Sequence, residues 1–381
     1  MKILYITPGC FDKGGISRYN RYQIQALREL FGEENIKVIS LLGPDANSFE
    51  DQFDTYWHGN GTSKKDKISM VWQAFKLALK WKPGIIFLGH VNLSGMGWLI
   101  SKISGSKTIL NVYGLEIWSK MSADASMGLK NVGLIISDCR NTADYLVKNN
   151  LRKENSITVV WDCIDTNKFK PGTNFQSDFL LKYNIPDPSK HFIILTLGRL
   201  SKPDAFYKGY DRLIKVFSKL SPNYPNARLV IAGRGNYKED LLKLIAELRL
   251  EDKVSFTNSI DEADLATVYQ TCSIFSLITE AGKDKGEGIP LTPLEAMACG
   301  KPILVGNQDG SREAIFEEQN GYSMDPGNLE LHQKIIESYI NDQELLRQHS
   351  ANALSIAKEY FSYPIFKSKH EIFFKSLENL S

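Results

Sequence analysis

Short runs of apolar residues, each of strand length, alternate along the chain with longer stretches in which apolar positions recur every three or four residues. The runs lie at 2–7, 36–42, 85–88, 108–112, 133–137 and 157–161, and again at 192–198, 228–232, 253–257, 273–278 and 302–306. They are apolar on both faces (KILYIT and FIILTLG are typical) rather than alternating. Parallel strands buried between two layers of helices read this way. The helical period predicts helices over 16–30, 69–81, 208–220, 236–249 and 293–299. Such alternation predicts βαβ units and a doubly wound α/β fold. Eleven strands are too many for one ordinary open sheet, so two parallel sheets in two domains are expected.

The seam is expected in 166–190, where Pro, Gly, Asn, Ser and charged residues replace the periodic pattern. This predicts a first domain over 1–168, a linker over 169–184, a second domain over 185–363 and a final amphipathic helix over 364–381. With 43% hydrophobic and 24% charged residues, the 381-residue chain has the composition of a folded globular protein. Its 46 basic and 44 acidic residues leave a net charge of +2, which argues against a nucleic-acid binder with its strong basic stripe. The five cysteines are an odd number with no Cys-x-x-Cys pair, which predicts reduced thiols and no structural zinc. No apolar stretch approaches membrane-spanning length, and the first apolar run is too short for a signal peptide, so a soluble cytoplasmic protein is expected.

Charge is uneven between the halves: residues 1–168 hold 21 basic and 16 acidic side chains. This is either ordinary scatter or a weakly basic face toward an anionic substrate or membrane. The segment 70–82, with three lysines toward one end, is likewise either a helix packed on the first sheet or a contact with a membrane surface.

The segment richest in chemistry is EGIPLTPLEAMACGKP, 287–302. Thr292, Pro293 and Glu295 predict a helix start, with Thr292 at the N-cap and Gly300 as the stop. A helix N-terminus suits a phosphate, and Glu287 and Glu295 on either side of it suit sugar hydroxyls. The combination points to a nucleotide sugar. Taken alone, Glu295 would be the return arm of a capping box on Thr292, and Glu287 a solvated loop charge.

Glu287 and Glu295 followed by Ala-Met-Ala-Cys-Gly-Lys-Pro resemble the signature of the retaining GT-B glycosyltransferases, in particular glycosyltransferase family 4. Four further blocks occur in the right order: Gly14-Gly15-Ile16-Ser17-Arg18-Tyr19, the hinge residues Asp165, Phe169 and Pro171, Gly198-Arg199-Leu200 with Lys208-Gly209, and Ala232-Gly233-Arg234-Gly235. The resemblance implies two Rossmann-like domains facing across a cleft, with the acceptor on the first and the donor on the second, and a final helix that crosses back to the first. It implies that Gly15, Arg199, Lys208, Gly233, Glu287, Thr292 and Glu295 hold a UDP- or GDP-sugar, with Arg199 and Lys208 neutralising the diphosphate so that neither metal nor cofactor is needed. It further implies a glycan or lipid-linked sugar as acceptor, with Arg18 in the cleft. His90, at the end of the 85–88 run where ligands of open α/β sheets gather, is either a cleft residue or a structural one, and the 70–82 segment leaves peripheral membrane contact through the first domain as an expectation. Tyr113 stands where the family usually has a histidine, in Tyr113-Gly114-Leu115-Glu116. That makes Tyr113 either a donor of a hydrogen bond to the sugar or a packing residue, and makes Glu116, with Glu287, a candidate for catalysis. Pro290 replaces a glycine of the commonest loop and removes one backbone N–H. Two other readings are a catalytically silent nucleotide-sugar-binding subunit and a sugar-nucleotide epimerase. A dehydrogenase is disfavoured, because neither glycine cluster completes Gly-x-Gly-x-x-Gly.

Overall fold

The computed structural model describes residues 1–378 except 47, 50–52, 203, 317 and 318. The first part of the chain runs β1 (Ile3–Thr7), α1 (Gly15–Phe31), β2 (Ile36–Ser40), β3 (Trp57–His58), α2 (Lys64–Trp81) and β4 (Ile85–Leu88). It continues with α3 (Ser94–Ser104), β5 (Lys107–Val112), α4 (Leu115–Trp118), α5 (Ala123–Asn131), β6 (Leu134–Ser137), α6 (Arg140–Lys148) and β7 (Ile157–Val159). Next come α7 (Ser177–Lys182), β8 (Phe192–Leu197), α8 (Asp204–Tyr207), α9 (Tyr210–Leu220), β9 (Ala227–Ala232), α10 (Lys238–Glu247) and β10 (Val254–Asn258). After these lie α11 (Leu265–Thr271), β11 (Ile274–Leu277), α12 (Leu291–Ala298), β12 (Ile303–Gly306) and β13 (Gly321–Met324). Three helices close the chain: α13 (Leu329–Asn341), α14 (Gln343–Tyr360) and α15 (Tyr363–Glu378).

The chain divides into two units, Met1–Cys163 with Tyr363–Ser381 and Ile164–Ser362. Each is built on one parallel sheet, of strand order β3-β2-β1-β4-β5-β6-β7 in the first and β10-β9-β8-β11-β12-β13 in the second. In the first, Ile3 and Tyr5 point to the side covered by α1 and α15, while Leu4 and Ile6 point to the side covered by α2, α3 and α5. This is why the strand runs carry no alternation. In the second, α9, α10 and α13 bury one face and α12, joined by α11 and α14, lies on the other.

Two strands left no trace in the hydrophobic pattern. β3 is only two residues long. β13 is Gly-Tyr-Ser-Met, held to β12 by backbone pairing, and Gly321 lies so close that a Cβ there would meet the Ile303 carbonyl oxygen at 1.8 Å. The division also falls earlier than the expected linker. Residues 164–184 pack on the second unit: Phe169 is buried with its ring 6.0 Å from that of Tyr269, and Ser177–Lys182 form α7. Polar composition had marked this stretch as a spacer, but its few aromatic side chains anchor it.

Candidate active site

In an open parallel sheet, ligands gather where neighbouring strands send their connections in opposite directions. In the second sheet that point lies between β8 and β11. The loop after β8 carries Gly198, Arg199 and Leu200, and is fixed to the turn after β9 by Gly198 N–H to Ala232 O (3.0 Å) and Leu200 N–H to Arg234 O (3.0 Å). Gly233, at φ +134°, has its Cα against this loop, and a Cβ would stand 2.0 Å from the Gly198 carbonyl oxygen. Gly233 thus lies between two loops where no side chain would fit.

Lys208 and Glu287 meet at this switch point. The Lys208 ammonium lies 2.8 Å from Glu287 Oε1, and the Tyr207 hydroxyl donates to the same oxygen at 3.1 Å. The Glu287 backbone is held from behind: its N–H donates to Asp309 Oδ2 (2.9 Å) and its carbonyl accepts the Gly310 N–H (3.1 Å). Asp309 is fully buried, and its other oxygen accepts the Ser311 N–H at 3.0 Å. Burial pushes the Asp309 carboxyl above its ordinary range, against these hydrogen bonds. No sequence signal pointed to Asp309, because its partner lies more than twenty residues away and in another loop. Arg199 is exposed, with no ion-pair partner among the described residues. The Tyr210 hydroxyl is buried without a hydrogen-bond partner, and burial together with the Glu287 charge pushes it up.

α12 starts one residue before the expected N-cap. Pro290 is the N-cap, in extended conformation, and no side chain caps the helix, so Thr292 is the second helical residue. Leu291 and Thr292 thus present first-turn N–H groups, while Pro293 has none to leave unpaired. Glu295 is not the arm of a capping box. It is buried inside the helix, and its Oε2 accepts the Tyr269 hydroxyl at 2.7 Å.

In the first sheet the switch point lies between β1 and β4. Asp12 caps the loop that enters α1, accepting the Gly14 N–H at 2.9 Å and the Ser17 hydroxyl. Gly15 opens α1, and a Cβ there would meet nothing within 4 Å. Nothing inside this unit requires a glycine at that position. Arg18 is buried, its guanidinium 5.4 Å from the centre of the Phe49 ring. His90 follows β4, and its Nδ1 accepts the Asn92 N–H at 3.1 Å, which leaves the proton of the neutral ring on Nε2. Burial lowers its pKa to about 4.

Tyr113 points inward. Its hydroxyl lies 2.9 Å from Asn20 Oδ1 and 3.1 Å from the Gly89 carbonyl, and it accepts from Asn111 at 3.2 Å. These groups belong to a buried network with Tyr5 and Gln23. Of the two readings of Tyr113, the geometry favours packing, since the hydroxyl is buried and its one proton goes to Asn20 Oδ1 or the Gly89 carbonyl. Glu116 turns back on its own short helix, Oε1 accepting the Tyr113 N–H at 2.7 Å. The turn needs a glycine, since Gly114 sits at φ +128° with the Trp118 ring 2.8 Å from where a Cβ would be. Burial raises the Glu116 pKa against its backbone hydrogen bonds.

Residues 181–355 match the family described as Glycosyl transferases group 1. This stretch carries Arg199, Lys208, Glu287 and Glu295.

An uncharacterized glycosyltransferase of Haemophilus influenzae is 33% identical over 168 residues, 44% of each chain. A GDP-mannose-dependent alpha-(1-6)-phosphatidylinositol monomannoside mannosyltransferase of Mycolicibacterium smegmatis is 28% identical over 165 residues, 42% of this chain and 41% of that one. The chain thus spans less than half the length of either relative. The structure of Anabaena Alr3699/HepE, solved in complex with UDP, is similar over 99% of this chain and 100% of that one, with a TM-score of 0.77 and 18% identity. That likeness takes in both units, and the fold is GT-B. The matched stretch holds the β8–β11 switch point of the second sheet, with the Lys208–Glu287 pair upon it.

Proposed function

We propose that the chain is a retaining glycosyltransferase that takes a sugar from a UDP- or GDP-sugar and passes it, without a metal ion, to a glycan or lipid-linked acceptor. The observation that carries this reading is the Lys208–Glu287 pair at the β8–β11 switch point, backed by Asp309 and followed by the uncapped start of α12. Lys208 and Arg199 supply the positive charge that a departing nucleoside diphosphate needs. Glu287, already positioned through its backbone, accepts hydrogen bonds from the sugar hydroxyls. In the step proposed, the bond from the anomeric carbon to the diphosphate oxygen breaks. The acceptor oxygen bonds to the same face of that carbon, and its proton passes to the departing phosphate. Both nucleotides are retained because the Anabaena protein was solved with UDP and the mycobacterial relative is named for GDP-mannose.

The test is a donor screen with UDP-, GDP- and ADP-sugars in EDTA, followed by nucleoside-diphosphate release. Release is expected from one donor, with Lys208→Ala and Glu287→Gln each lowering it by about a hundredfold or more. The buried Tyr113 hydroxyl favours a second reading, a nucleotide-sugar-binding subunit without turnover. Thermal stabilisation by a nucleotide with no release from any donor and acceptor would replace the first reading with this one.

A further inference from the structure

Tyr207 is fastened at both ends. Its carbonyl oxygen accepts the Glu280 N–H at 2.8 Å and an Arg212 Nη2–H at 3.2 Å. Arg212 is itself tied to the end of β11, donating to the Ile278 carbonyl at 3.1 Å and pairing with Glu280 at 3.2 Å. The Tyr207 side chain is buried, with the Lys208 ammonium 5.8 Å from the centre of its ring. At the far end of that ring the hydroxyl donates to Glu287 Oε1 at 3.1 Å. Backbone and side chain together form a strut from the end of β11 to the Glu287 carboxylate.

Lys208 meets the same oxygen, so both contacts of the carboxylate fall on Oε1, and among the described residues no donor reaches Oε2. The two donors differ in kind. A lysine carries a full charge on a flexible stem, whereas a tyrosine is neutral and stiff. A diphosphate holds more negative charge than a carboxylate and draws the ammonium toward itself. Asp309 fixes the Glu287 backbone but not the direction in which its carboxylate oxygens point. We infer that Tyr207 is a positioning residue for the transfer: it keeps Glu287 Oε1 in place when Lys208 turns to the diphosphate, so that Oε2 meets the sugar hydroxyls. Tyr207 acts through Glu287 and does not touch the donor. The inference rests on the donor reading proposed above and divides the work of that site, charge coming from Lys208 and orientation from Tyr207.

Crystals of ligand-free variants test the hold without any turnover. In Lys208→Ala, Glu287 should keep one conformer, with Oε1 on the Tyr207 hydroxyl. In Lys208→Ala combined with Tyr207→Phe, the carboxylate should leave that position or spread over several conformers. Glu287 displaced in the single variant, or unmoved in the double one, overturns the inference. Kinetics give a second readout. For the donor identified by the release screen, Tyr207→Phe should lower kcat about tenfold and leave KM within about twofold. Added to Glu287→Ala, the same change should cost nothing further, because the side chain it positions is gone. Losses that multiply overturn the inference and leave the donor reading intact. So does an unchanged kcat with a lowered thermal unfolding midpoint, which would make the hydroxyl purely structural. A parent that releases nothing from any donor fails the donor reading instead, and the crystals still decide whether Tyr207 holds Glu287.

Discussion

At the scale of single residues, the molecule separates side chains that are fastened from those that are available. Asp309 is the fastened kind: one oxygen serves the Glu287 N–H and the other the Ser311 N–H. An asparagine has one acceptor oxygen and can serve only one of them. Asp309→Asn should therefore cost about 1–3 kcal/mol in urea unfolding and lower kcat for the donor about tenfold, because the Glu287 loop loses its anchor. His332 and His370 give a residue-level signature in pH. His370 is fully buried between the Phe366 carbonyl on Nδ1 and the Gln23 amide on Nε2, and His332 faces the Ser276 hydroxyl. Burial lowers their pKa values to about 4 and about 3. Since the folded values lie below the ordinary 6.5, the unfolded chain takes up protons first as pH falls. The stability these two neutral rings contribute is complete above about pH 6.5 and is lost below it, at up to about 1.4 kcal/mol per pH unit for each, until the folded pKa is reached. Urea unfolding at pH 7 and pH 5 should show this fall, and His370→Gln should make it shallower. Lys208 and Glu287 stand out in the sequence by residue type and motif, but their meeting at 2.8 Å comes from the fold. The inward turn of Tyr113 was not legible either, because a tyrosine after a strand looks the same whether its hydroxyl meets a ligand or Asn20.

At the scale of elements, glycines give the sharpest contrast. Gly233→Ala would force a Cβ against the Gly198 carbonyl at a backbone angle only glycine adopts readily, and should destabilise the second unit by several kcal/mol. Gly15→Ala meets nothing in its own unit and lies at the start of a helix, so thermal unfolding should be unchanged or improved by up to about 1 kcal/mol. The strands were legible because burial on both faces leaves uninterrupted runs such as 85–88 and 192–197. β13 was not, because only Tyr322 and Met324 of its four residues pack on the core, too few to make an apolar run. The start of α12 was misplaced for another reason. Thr-Pro is a strong local start signal, yet Pro290 can end the preceding loop in the extended geometry an N-cap requires, and the helix takes the earlier start.

At the scale of the whole molecule, the two-sheet architecture followed from counting strands, whereas the division between units depended on which aromatics of 164–184 are buried, and composition does not report that. The first unit is discontinuous in sequence: α15 inserts Phe366, Phe373 and Phe374 into the core beneath α1, and His370 joins the buried polar network. Removing residues 363–381 should leave the first unit without a stable core, detected as loss of its cooperative thermal transition while that of the second unit remains. The same insertion has a consequence for how the protein is made. A ribosome releases the second unit, Ile164–Ser362, complete, while the first still waits for its closing helix. The first unit is therefore begun before the second and completed after it. Until α15 emerges, the apolar face of the first sheet under α1 stays open, which makes that interval the one in which a nascent-chain chaperone has most to protect.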